Sequence, residues 1–83
     1  MKEMMVKEWL LDKTQDTAKR YNCFINFKRD ENGMRLVEDG YVTVYVEEEI
    51  SESEKAAQVK LSTGEVLGSA NGWKTWIPKS AIR

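Results

Sequence analysis

Tyr41-Val42-Thr43-Val44-Tyr45-Val46 is the stretch that decides the fold. Its residues are β-branched or aromatic, and they suit a half-buried pleated surface. Strict alternation puts Val42, Val44 and Val46 on one face of a strand and Tyr41, Thr43 and Tyr45 on the other. The valine face needs a cover, so the rest of the chain has to supply one.

Working toward the N-terminus, Asp39-Gly40 marks a tight turn, and Met34-Arg35-Leu36-Val37 reads as a strand before it. Asp30-Glu31-Asn32-Gly33 is a second turn, with Cys23-Phe24-Ile25-Asn26-Phe27-Lys28 as its partner strand. Residues 2–20 lack Gly and Pro and are rich in Leu, Lys, Glu, Met and Gln, which predicts a helix. Met5, Trp9 and Leu10, with Val6 and Leu11 beside them, form its apolar face. Trp9 is expected in the core on that stripe; exposed, it would anchor an interface.

Toward the C-terminus, Glu47 to Glu54 reads as an acidic connection interrupted by Ile50. Ala57, Val59 and Leu61 alternate within a strand over 55–62, and Thr63-Gly64-Glu65 turns the chain. Val66-Leu67 begins a short return, and Gly68 to Gly72 is a loop of small residues. Trp73-Lys74-Thr75-Trp76-Ile77 is the last strand, ended by Pro78, with a single 3₁₀ turn to follow. The sequence therefore predicts one α+β domain over 1–83. An N-terminal helix within 1–22 packs on a curved, roughly five-stranded antiparallel sheet or small partly open barrel within 23–83.

Composition bounds the chemistry. A chain of 83 residues buries only about 60–65% of its unfolded surface, so most large apolar side chains are needed for the core. Histidine is absent, which removes the usual general base and the commonest metal ligand. Cys23 stands alone, so neither a disulfide nor an ordinary zinc site nor a Cys-His nucleophile can form. Gly64, Gly68 and Gly72 lack the Lys-Ser/Thr of a phosphate loop. No enzyme activity, metal or cofactor is expected. No apolar run approaches the ~20 residues of a membrane span, and the start of the chain lacks an apolar signal core. The expected setting is the cytoplasm, in keeping with one free thiol.

Charge is segregated. Residues 38–54 carry seven acids and no base, whereas 55–83 carry five bases and one acid. Glu47, Glu48, Glu49, Glu52 and Glu54 form a candidate acidic face for a basic protein partner; as a strand end and loop they would only keep the chain soluble. Trp73, Lys74, Trp76 and Lys79 interleave rings with cations, as single-strand nucleic-acid binders do. The same rings could instead be core or rim aromatics, and strand alternation puts the two indoles on opposite faces.

Lys60-Leu61-Ser62-Thr63-Gly64-Glu65-Val66 and Trp76-Ile77-Pro78-Lys79-Ser80-Ala81-Ile82 resemble the end of small uncharacterised proteins of phages and mobile elements. In those, a final strand carries Trp-Ile-Pro-Lys-Ser-x-Ile. The resemblance covers about a third of the chain and implies a small β-rich domain of phage or prophage origin, with no established activity. The leading expectation is a non-enzymatic protein-binding module, such as a phage protein that inhibits a host factor in the manner of an anti-CRISPR. The alternatives are a single-stranded nucleic-acid binder and a scaffold that forms oligomers, a homodimer included, through its sheet edges.

Overall fold

The structure is a computed structural model that describes residues 1–64 and 70–83. Its spine is the strand read first. That strand is β3 (Tyr41–Glu52), and it pairs antiparallel with β1 (Lys2–Lys7), β2 (Val37–Glu38) and β4 (Ala56–Leu61). β5 (Trp73–Pro78) pairs with β4, giving the order β1-β3-β4-β5 with β2 beside β3. One helix, α1 (Glu8–Lys19), packs on this open five-stranded antiparallel sheet, an α+β fold. Val42, Val44 and Val46 are buried beneath it with Leu10, Leu11 and Ala18. Burying each leucine contributes about 1.5–3 kcal/mol.

The helix is shorter than the sequence predicts. Residues 2–7 form β1, and the helix starts at Glu8, where the amide donates to the Gly40 carbonyl at 2.9 Å. Lys2, Met4 and Val6 lie opposite Val46, Val44 and Val42. Pairing buries Val6 and satisfies a flank of β3, which outweighs helix preferences of a few tenths of a kcal/mol per residue. Glu8 and Asp12 then face Arg35, at 3.1 and 2.8 Å. Partial burial alone would lower the Arg35 pKa, but its hydrogen bonds to Asp12 and Glu8 outweigh that and raise it. The same guanidinium and that of Arg29 lie over the Phe27 ring, 4.9 and 4.4 Å from its centre.

The segment 23–28 also differs from the strand expected there. Its alternation is correct, since Cys23 and Ile25 are buried and Phe27 packs against the core. But it crosses a corner: Phe27 bridges Val44 while Ile25 bridges Thr63, so it never follows one strand far enough to form a ladder. A helix side chain substitutes for the missing neighbour. The Gln15 amide donates to the Cys23 carbonyl at 3.0 Å and accepts from the Ile25 amide at 2.7 Å. The return strand shrinks to Val37–Glu38, joined to β3 by Asp39-Gly40. Both turn residues have positive φ, 53° and 81°, as the tightest hairpin turn requires.

The acidic stretch is not a connection. β3 runs on through Glu52, with irregularities at Glu47 and Ile50 where its pairing with β4 slips. After Pro78, a 3₁₀ turn (Lys79–Ala81) buries Ala81, and Ile82 bridges Val6. The Arg83 amide donates to the Met5 carbonyl at 2.9 Å. The end of the chain thus caps the outer edge of β1, and the sheet curls without closing. The expected return at Val66-Leu67 lies outside the described residues. Among the described residues, no helix is long and apolar enough to cross a membrane.

Candidate binding groove

The five candidate acids do not share a face. Glu48 lies opposite Lys60, while Glu49 and Glu52 lie opposite Val59 and Ala57 on the core side of the sheet. Glu49 is bound by Lys2 at 2.8 Å, and Glu52 by Lys79 at 3.1 Å. The Glu49 carboxylate raises the Lys2 pKa through a hydrogen bond and its charge. Glu47 points toward Gly72, and Glu54 stands at the exposed tip of the β3–β4 hairpin. A hollow of about 280 Å³ below that hairpin has Met4, Ile50 and Val59 in its walls, with the two ion-paired carboxylates at its margin.

The C-terminal tract divides as alternation requires. Trp73 lies opposite Leu61 and packs against the core, its ring 5.6 Å from that of Tyr21. Trp76 lies opposite Gln58 on the outer face and is 49% exposed. Lys74 shares that face, opposite Lys60. Lys79 is engaged with Glu52 rather than grouped with them. Tyr41 takes the Arg83 guanidinium over its ring, and Tyr45 lies opposite Glu3; both are half-buried, and neither lines the site described next.

A groove of about 280 Å³ runs between α1 and β5. Its helix side is Trp9, Lys13 and Thr17; its strand side is Lys74, Thr75 and Trp76. Trp9 is 54% exposed, contrary to the core position expected of it. Because the helix starts at Glu8, Leu10 and Leu11 take the core, and Trp9, Lys13 and Thr17 form a stripe four residues apart along the groove. That spacing was present in the sequence, but an assumed start at residue 2 merged it with the apolar face. Among the described residues, no carboxylate lines the groove. The acids of the first helical turns are drawn to Arg35. Lys13 and Lys74 have no ion pair among the described residues.

The strand side of the groove is a free edge. β5 ends the sheet order, and among the described residues no strand pairs with its outer side. The Lys79 amide donates to the Lys55 carbonyl at 2.8 Å, which fixes the phase of the β4–β5 ladder. Residues 73, 75 and 77 turn their peptide groups to β4, and Lys74 and Trp76 turn theirs to the open edge. Among the described residues, no group of metal-type side chains collects anywhere. No protein-family model matches the chain, and it matches neither a curated protein nor a solved structure.

Proposed function

We propose that this protein is a non-enzymatic protein-binding module and that the groove between α1 and β5 is its binding surface. One observation carries the reading: two indoles, Trp9 and Trp76, stand about half exposed on opposite walls of one concavity that, among the described residues, holds two lysines without ion pairs and no carboxylate. Tryptophan is the residue type that most often dominates interface energetics when a partner completes its burial. In so small a domain, large apolar side chains left out of the core need a reason to be there. The groove falls at the lower limit of the roughly 300–1,000 Å³ of sites that enclose small molecules, so it suits side chains of a larger partner. The acidic residues support the reading less well, because Glu49 and Glu52 are already neutralised by lysines.

Selection of a displayed random-peptide library on the purified protein tests this. Selected peptides are expected to lose at least tenfold in affinity on Trp9→Ala and to keep it when Glu47, Glu48 and Glu49 are changed to Lys. Peptides lost only in the lysine variant would return the acidic residues to first place. A second reading rests on Lys74 and Trp76 standing together beside Lys60 on one face, which suits single-stranded nucleic acid. Tryptophan quenching by oligothymidylate that vanishes with added salt, in the absence of any selected peptide, decides for it.

A further inference from the structure

We infer that the groove receives an extended segment of alternating acidic and apolar residues, added antiparallel to the free edge of β5 as a further strand. The inference rests on the protein-binding reading and names how the partner is held. The edge supplies the amides and carbonyls of Lys74 and Trp76, turned away from β4. An incoming strand satisfies them with main-chain hydrogen bonds, and side-chain pockets then set its sequence.

The two faces of β5 dictate that sequence. A residue placed opposite Lys74 shares the outer face, where Lys60 also lies. Lys60 and Lys74 face each other as a non-hydrogen-bonded pair, the closer kind, and like charges so placed repel. Glu48 lies opposite Lys60 on the β3 side, but among the described residues no acid lies on the other side of Lys74. A carboxylate opposite Lys74 flanks the adjacent lysine pair with an acid on each side, in a row across four strands. A residue opposite Thr75 shares the inner face, beneath α1, where Trp9 and Leu10 line the groove. That position calls for an apolar side chain. Pro78 has no amide to offer, so recognition ends there.

Antiparallel addition sets which peptide amides are used. Residues opposite Lys74 and Trp76 exchange main-chain hydrogen bonds with them, so the amides of the acidic residues face β5 and those of the apolar residues face away. The probe is acetyl-(Ile-Glu)₃-amide, titrated into the full chain by calorimetry at low salt. It is expected to bind, with at least tenfold loss on methylating the glutamate amide nitrogens, at most threefold loss on methylating the isoleucine ones, and no binding by (Ile-Lys)₃. Binding that Trp76→Ala abolishes but that is indifferent to which amides are methylated overturns strand addition and leaves the groove reading standing. Failure of (Ile-Glu)₃ to bind at millimolar concentration overturns the inference, and the peptide-library selection then judges the groove separately. A free protein that sediments as a dimer, and as a monomer after Trp76→Ala, makes a second copy the occupant and also overturns it.

Discussion

Among the described residues, two stretches of unpaired strand edge are built in opposite ways. The outer half of β3, from Glu47 to Glu52, runs past the end of β1 at Lys2, so its outer edge is unpaired there. That edge is irregular at Glu47 and Ile50 and fringed by carboxylates, the devices that keep a strand from pairing with strangers. β5 has an unbroken register with β4, no carboxylate, and an indole on each wall of the groove beside it. One edge is guarded by acids and irregularities, and the other is not. In a chain that carries segregated charge, the acids fringe the irregular edge, and aromatic and basic residues collect beside the regular one.

Substitutions can break or sharpen this contrast. The largest effect is expected at Ile77, which is 1% exposed and anchors β5 to the core. Ile77→Ala costs about 2–5 kcal/mol, read from urea denaturation, and peptide binding disappears with the edge. Ile50→Ala on the guarded edge, where the side chain is already exposed, leaves the urea midpoint nearly unchanged. Next comes Glu48→Lys, which aligns three lysines across β3, β4 and β5. It destabilises by about 0.5–1 kcal/mol at low salt, less at high salt, and strengthens binding of an acidic peptide.

Replacing Glu47, Glu48, Glu49 and Glu52 with Thr together removes the guard. The expected result is concentration-dependent association in sedimentation, with little change in the monomer's stability. A quadruple variant that stays monomeric would show that the two irregularities suffice. The smallest effect concerns Lys2. Its pKa is raised in the folded state by Glu49, so its contribution is complete below the ordinary lysine value and is lost as pH rises through the raised one. Thermal melting from pH 5 to 9 is therefore expected to be the same for Lys2→Met as for the unaltered chain, apart from a constant offset.

Much of the fold was legible because alternation is a local signal. Spacing alone puts Val42, Val44 and Val46 on one face of their strand and Ala57, Val59 and Leu61 on one face of theirs, and Pro78 marks the end of β5. The opposite faces of Trp73 and Trp76 followed from the same period of two. The first seven residues were not legible. Lys2-Glu3-Met4-Met5-Val6-Lys7 has the composition of a helix and becomes a strand only because the flank of β3 is there to pair with it. With those residues in a strand, the helix starts six residues later than its composition predicts, and Trp9, Lys13 and Thr17 form a stripe apart from the core face.

The sequence by itself determined the class of the fold, the grouping of three valines on one face of β3, and the lack of histidine and of a second cysteine. Those depend on residue type and short-range period. Only the tertiary structure decided, among the described residues, which edges stay unpaired, which acids lysines neutralise, and that a helical tryptophan and a strand tryptophan line one groove without carboxylates. Each of these joins residues tens of positions apart, and no local preference encodes which strands become neighbours. The chain settles that through the burial and hydrogen bonding of the whole sheet at once.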